Sequence, residues 1–497
     1  MSDESQHKKI FVASFLTLIA AGVGFAVRAA ILADWAAQFG FTKADLGEIT
    51  GFGLAPFGIT IILCSIFADR VGYKALLIGA FLLHVLSGLL TLGATPVFNS
   101  MGKDATYWML SIGMLMFSLA NGLCEAVINP LVATLYPKQK THYLNILHAG
   151  WPGGLILGGL LAYAFCGPGA AMNHLRWEIP MSFFLIPTLI YGFLALPERF
   201  PISEARAAGV SFGQMLTQLA APLLLFLFLI HAMVGYVELG TDSWITNIMN
   251  NVIAGRALLL FVYTSGIMFV LRFFAGPIVE HINPLGLLFV SAVLGCCGLF
   301  WLGSATTGIA IVLAATTYGV GKTFLWPTML GVVGERFPRG GALVMGTTGG
   351  IGMLSAGLLG GPGIGYVQDY YASNSLRQNN QSVYESVVSS EQNQFLLFPK
   401  ISGLDGAKVA ALEENPDSPA ALAVKDAGIY GGRMALKWTA AVPATMAVCY
   451  LLLLLYFRAI GGYRAIQIDA TGHAHPSARS PSAEEAIEVG NQGPGQA

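Results

Sequence analysis

Apolar residues along this chain fall in runs of about 20, separated by short polar connections, and about 20 residues is what a helix needs to cross the roughly 30 Å hydrocarbon core of a bilayer. The runs place spans near residues 10–33, 46–68, 75–95, 107–135, 144–166 and 178–196, with six more near 221–248, 257–280, 285–303, 308–333, 341–366 and 437–459. Numbered 1 to 12 in chain order, these spans predict an all-α integral membrane protein. An even number of crossings returns both termini to one side. Two stretches escape the pattern. Residues 367–436 are polar and far longer than the other connections, and the tail after about 460, rich in Ala, Ser, Pro, Gly and Glu, reads as disordered. The chain therefore divides into a six-helix bundle over 1–197, a central cytoplasmic loop over 198–220, a second bundle over 221–459 with an extracytoplasmic loop at 367–436, and a disordered cytoplasmic tail over 460–497.

Composition turns this pattern into a statement about solvent. Of 497 residues, 55% are apolar and 11% charged, against roughly a quarter charged in a soluble domain, so lipid replaces water around most of the chain. Lys and Arg near the span ends set the orientation. One side carries Lys8, Lys9, Arg70, Lys74, Lys138, Lys140, Arg199, Arg206, Arg336, Arg339, Arg458 and Arg464; the short loops of the other carry Lys43, Lys103, Arg176 and Arg256. Both termini are expected in the cytoplasm, and the protein in the plasma (inner) membrane. The first run is too long for a signal peptide and contains Arg28, so it is read as a span. Cys64, Cys124, Cys166, Cys296, Cys297 and Cys449 lie in or beside apolar segments without metal-ligand or redox spacing, and they read as structural thiols. A net charge of −1 argues against nucleic-acid partners.

The two bundles repeat one another. Aligning Pro130 in span 4 with Pro327 in span 10 superposes Gly122 on Gly319 and sets Glu125 opposite Lys322. Span 5 carries Gly150, Gly154 and Gly158, and span 11 carries Gly357, Gly361 and Gly365; four-residue glycine spacing makes a smooth stripe for close helix packing. Paired six-helix halves around a midplane site are an architecture of secondary transporters, in which one half rocks against the other.

Ionisable groups inside spans sharpen this, because each costs at least about 2.5 to 3.5 kcal/mol at the bilayer centre. They are Arg28 in span 1, Glu125 in span 4, Glu238 and Asp242 in span 7, Arg272 in span 8 and Lys322 in span 10, with His84, His148 and His231 as neutral candidates. Three cations and three anions could simply pair and hold the helices together. Function is the more specific account. Desolvation disfavours the charged form of a deep carboxylate, which lets it load and release a proton. Glu125 is the first candidate for proton coupling, with Glu238 and Asp242, one helical turn apart, as further candidates. His84 reads as structural. Asn145, His148 and Trp151 recur every three residues in span 5, a polar and aromatic face that suits a sugar or interhelical bonding. Arg28, Asn129, Lys322 and Trp326 complete the expected substrate cavity.

Gly319-Val320-Gly321-Lys322-Thr323 resembles part of a nucleotide-binding loop, but the pattern needs glycine where the chain has Thr316, and a preceding strand. No metal-ligand spacing, activated nucleophile or phosphate loop points to an enzyme or a cofactor.

Asp69-Arg70-Val71-Gly72-Tyr73-Lys74, between spans 2 and 3, resembles the signature loop of the major facilitator superfamily, with Ser65 in place of a glycine and Tyr73 in place of a basic residue. The resemblance implies a gating loop of Asp69, Arg70, Gly72 and Lys74, with Asp69 facing the start of span 11 near Gly341, where the helix dipole favours negative charge. Glu125 with Asn129-Pro130, and Asn145-Ile146-Leu147-His148 with the glycines that follow, resemble the fucose permease branch, whose members take up hexoses with protons. That likeness implies a substrate or coupling role for Glu125. A second coupling aspartate of that branch would fall at Ala29, beside Arg28, and this departure raises a sugar acid held by Arg28 and Lys322 as an alternative.

Together these features predict a monomeric secondary active transporter of a small polar solute, with proton-coupled sugar uptake as the leading reading. An efflux antiporter is the alternative within transporters. A solute sensor that binds without moving its ligand is the alternative outside them.

Overall fold

The computed structural model describes residues 3–166, 170–250, 257–412, 414–469 and 473–476; Arg256, the Lys43 side chain and the tail beyond 476 lie outside them. Among the described residues, eleven helices are long and apolar enough to cross a membrane. Spans 1 to 6 correspond to Asp3–Ala30, Leu54–Val71, Tyr73–Leu92, Ala94–Leu135, Lys140–Phe165 and the pair Glu178–Ser182 with Leu185–Ala195. Spans 7 to 12 are led by Pro222–Gly235, Ala257–Arg272, the part of Ala275–Leu302 beyond its non-helical break at Asn283, Gly308–Lys322, Gly341–Ser355 and Pro419–Thr439 with its continuation Ala441–Ala459. Ala257–Arg272 runs unbroken for only 16 residues, because a turn at Phe273 and Phe274 interrupts span 8. Span 10 is also interrupted, resuming as Leu325–Arg336. Spans 7 and 11 each contain one π-helical turn, Tyr236–Gly240 and Ala356–Gly360. The chain is an all-helical, multi-span membrane protein.

Glycine decides which helices touch. A Cβ at Gly150, Gly154 or Gly158 in span 5 would collide with span 1, at the Phe15 and Ile19 carbonyls and at Ala26 respectively. The equivalent contact in the second half pairs span 11 with span 7, where Gly235 and Gly240 meet Gly352 and Gly360. Of the expected row in span 11, Gly361 and Gly365 also face span 7, at Trp244, whereas Gly357 faces Leu54 of span 2. Between halves there are two seams. Span 2 lies along span 11, with Gly58 at Leu354 and Ser65 at Gly346, and span 5 lies along span 8, with Gly153 at Phe269 and Gly159 at Val262.

Both ends of the described chain gather on one face. Gln6 donates to the Arg199 carbonyl, and Arg336 donates to the Arg464 carbonyl at 2.6 Å. The tail differs from expectation near its start: Ile466–Ile468 pairs antiparallel with Ala474–Pro476. The region 367–436 differs more. Span 11 continues as a helix, Gly361–Asn379, and span 12 begins early at Pro419, so the two extend together beyond the membrane. Between them lie β1 (Val388–Asn393) and β2 (Ile401–Leu404), paired antiparallel, and two short helices. Leu376, Val387, Val424 and Ala427 give this insertion its own small core. Few and scattered apolar residues are enough here, because two helices already anchored in the membrane supply the scaffold.

Gly154→Ala should lower the melting temperature of the detergent-solubilised protein by several degrees, since overpacking typically costs about 1–3 kcal/mol. Gly349→Ala, which has nothing within 4 Å of its added Cβ, should be neutral or stabilising, because alanine gains about 1 kcal/mol over glycine in a helix. Equal losses for both would contradict the close approach of spans 1 and 5.

Candidate functional site

Proline removes a backbone donor, so the carbonyl four residues before it in a helix loses its partner. In span 5 Pro152 frees the carbonyl of His148, and in span 10 Pro327 frees that of Thr323. A freed carbonyl inside a membrane protein must find another donor. One residue supplies both. Arg272, at the end of the unbroken part of span 8, donates from Nη1 to the His148 carbonyl at 2.6 Å and from Nε to the Thr323 carbonyl at 2.7 Å. Its Nη2 donates to Glu238 Oε1 at 2.8 Å, which balances the charge. The rigid fork of a guanidinium reaches three acceptors on three helices, which an ammonium would not reproduce. Glu238 sits in the π-helical turn of span 7, and π-bulges frequently mark functional positions.

A second chain of bonds runs through the first half. Asn129 Nδ2 donates to Glu125 Oε2 at 2.6 Å, and His148 Nε2 lies 2.8 Å from Asn129 Oδ1. Since Asn129 uses its amide protons on Glu125, its oxygen accepts, which assigns the Nε2 proton to His148. Glu125, Asn129 and His148 are thus linked side chain to side chain, and the His148 carbonyl carries the link to Arg272 and Glu238. All five residues are buried.

Glu125, His148, Glu238 and Arg272 line one small central cavity together with Phe57, Trp151, Leu239, Trp326 and Met353. Its volume is about 20 Å³, room for about one water. Trp151 packs its ring 5.3 Å from Phe25, and Trp326 packs 4.7 Å from His231.

Other expected site residues lie elsewhere. Lys322 is fully buried and pairs with Asp242 at 2.5 Å, outside the cavity lining. Asn145 points across the seam between halves and donates to Thr328 Oγ1 at 3.0 Å and to the Thr141 carbonyl at 2.8 Å. Arg28 is held inside the first half, donating to Ser87 Oγ at 2.9 Å, with its guanidinium 4.0 Å from the Phe117 ring centroid and 4.9 Å from that of Phe184. Mutual pairing therefore accounts for two anions and two cations of the six, and leaves Glu125 and Arg28 apart. His84 lies 2.8 Å from the Tyr191 hydroxyl and 3.1 Å from Asn121 Oδ1, an ordinary buried histidine. Arg272 was visible in the sequence as a buried charge without a role. The proline positions announce two orphan carbonyls, but only the tertiary fold shows that one arginine reaches both.

At the end bearing the termini, Asp69 Oδ2 would lie 3.1 Å from a Cβ on Gly341, whose φ is +52°, at the start of span 11. Arg206 of the central segment donates to the Asp69 carbonyl. Arg70 lies 5.0 Å from the Phe212 ring centroid, Gly72 adopts φ +89° to end span 2, and Lys74 joins Asp69 and Gly72 around a hollow beneath residues 200–206. The halves are further tied there by Lys140 to Glu204 at 2.6 Å, by Lys140 to the Gly334 carbonyl at 3.3 Å and by Thr141 to Glu335 at 2.5 Å.

Comparison with known proteins now places the chain. The family model described as Major Facilitator Superfamily matches residues 10–361. The E. coli fucose:proton symporter FucP shares the fold with a TM-score of 0.60 at 16% identity, covering 88% of this chain and 98% of that one. A bacterial homolog of the human lysosomal transporter Spinster, in an inward-facing and unoccupied conformation, gives 0.63 at 14% identity over 91% and 97% of the two chains. The proton:xylose symporter XylE gives 0.60 at 15% identity over 92% and 96%. With more than half of its length matched, the chain belongs to the Major Facilitator Superfamily, a family of transporters rather than enzymes, and is a multi-pass secondary transporter of a small-molecule solute.

Proposed function

We propose that this transporter imports a neutral polar ring compound, a sugar, together with a proton, as a monomer in the plasma (inner) membrane with both termini in the cytoplasm. One observation carries the reading. Among the described residues Glu125 has no cationic side chain within 4.0 Å, whereas Glu238 and Asp242 each have one. A carboxylate beside a cation is favoured in its charged form, and one without such a partner is freer to take up and release a proton. Coupling therefore falls to Glu125, and Glu238 and Asp242 act as the counter-charges of Arg272 and Lys322.

The same pairing favours a neutral solute over a sugar acid. Arg272 and Lys322 are engaged within the second half, and Arg28 does not line the cavity, so among the described residues no free cation awaits a carboxylate there. What the cavity offers instead is the indole faces of Trp151 and Trp326, with His148 and Glu125 as polar groups, which suits the apolar face and hydroxyl edge of a sugar ring. The proton:sugar symporters FucP and XylE share the fold, and the fucose permease likeness of spans 4 and 5 supports the same choice.

Coupling follows from the bond chain. An ionised Glu125 takes a charge-assisted bond from Asn129, and protonation weakens it to a neutral one. Asn129 then holds His148 less firmly, and the His148 carbonyl is where Arg272 ties the second half to the first. A proton on Glu125 thereby loosens the midplane contact between halves, while Asp69 and the bonds of Lys140 and Thr141 latch the cytoplasmic end.

Two variants test this account in proteoliposomes. Glu125→Gln should abolish uphill accumulation of the transported sugar while preserving counterflow exchange; accumulation at the unmodified level would remove Glu125 from coupling. Asp69→Asn should slow turnover at least severalfold with near-normal apparent affinity. A large loss of affinity at an unchanged rate would contradict the latch.

A further inference from the structure

The insertion between spans 11 and 12 ends, on its membrane side, in a tip that is unlike the rest of it. β1 and β2 are joined by Gln394, then Phe395-Leu396-Leu397-Phe398-Pro399, then Lys400: five consecutive apolar residues, four of them large. Leu396, Leu397 and Phe398 are 62%, 99% and 54% exposed. Leu396 is held at φ +49°, a conformation that a leucine adopts only under constraint, and it turns the apolar side chains outward rather than back onto the insertion.

The depth of the tip is fixed by its contacts. The Phe395 ring lies 3.0 Å from a Cβ built on Gly363, which is one turn inside the apolar part of span 11, and the Tyr366 hydroxyl donates to the Pro399 carbonyl at 2.7 Å. The hairpin thus bends back from the insertion to the Gly363–Tyr366 turn, the last turn of the apolar run of span 11. Behind it lies a cavity of about 340 Å³ walled by Tyr236 of span 7, Tyr366 and Tyr370 of span 11, Phe395 and Phe398 of the tip, and Trp438 at the start of span 12. Trp438 is itself exposed, as are Val448, Leu451, Leu452 and Leu455 farther along the same span, and its indole donates to the Tyr371 hydroxyl at 2.6 Å. Tyr and Trp at this level match the aromatic belt of a membrane boundary.

We propose that the tip Phe395–Pro399 is a membrane-docking wedge: Leu396, Leu397 and Phe398 enter the leaflet opposite the termini, and the acyl chains of that leaflet cover them and the aromatic cavity behind. Apolar side chains at that depth meet lipid rather than water, and burying them is worth about 25 cal/mol per Å². The docked tip pins the insertion against spans 7, 11 and 12. Tyr236, in the cavity wall, belongs to the same π-helical turn as Glu238, so the leaflet bears directly on the segment that holds the counter-charge of Arg272. This docking is independent of which solute is carried.

The test uses the full-length protein in phosphatidylcholine vesicles, with an environment-sensitive fluorophore on Leu397→Cys and, as a polar reference on β1, on Glu391→Cys; signal from the unmutated protein is subtracted. Leu397 is wholly exposed, so its replacement leaves the fold intact, and Leu396→Cys provides a second tip position. Acyl-chain-brominated phosphatidylcholine should quench both tip labels severalfold more than the Glu391 label, and aqueous iodide should do the reverse. Tip labels quenched by iodide and not by brominated lipid would overturn the proposal by placing the tip in water. Tip labels shielded from both quenchers would overturn it too, because protein rather than lipid would then be the cover.

Discussion

A guanidinium that satisfies one proline-freed carbonyl in each half is the constraint on which the centre of this transporter depends. Pro152 and Pro327 each remove a backbone donor deep inside the protein, where a freed carbonyl needs another partner. Arg272 meets both carbonyls, and Glu238 neutralises it. The arrangement is costly to disturb, since removing one partner of a buried ion pair typically costs about 3–5 kcal/mol. It also joins the halves at their midplane, where an alternating-access transporter must separate and rejoin them.

The remaining charges fall into place around it. Lys322 and Asp242 form a second buried pair within the second half, and Arg28 is packed between aromatic rings in the first. Among the described residues Glu125 is left with an amide partner and no cation within 4.0 Å, two hydrogen bonds from His148 and three from Arg272. The seams are set by small residues rather than by charge. Gly154 admits the backbone of span 1, and Gly58 and Gly153 let the two halves lie against each other. Rigid halves with smooth seams and few polar ties deep between them, through Arg272 and Asn145, can rock without repacking their interiors.

The spans were legible because lipid imposes one length and one composition on them, and the repeat was legible because Pro130 and Pro327 fall at matched places. Asp69 beside Gly341 followed from a local loop motif. The partners of the buried charges were not legible. Periodicity assigns Arg28, Asn145 and Lys322 to helix faces, yet whether a face meets the cavity, a seam or a neighbour within its own half depends on rotations fixed by distant glycines. The insertion was obscured for a different reason. Its helices continue spans 11 and 12, and polar sequence conceals a helix whose stability comes from the membrane segment it extends. Its apolar runs, Phe395–Pro399 among them, are too short to register as a span.

The most direct measurement is uptake of radiolabelled neutral hexoses, deoxyhexoses and sugar acids into proteoliposomes, with and without an inward proton gradient. The account predicts that the gradient drives accumulation of a neutral sugar above its external concentration, and that sugar acids neither accumulate nor compete. Selective uptake of a sugar acid, or accumulation of a neutral sugar that ignores the proton gradient, would contradict it.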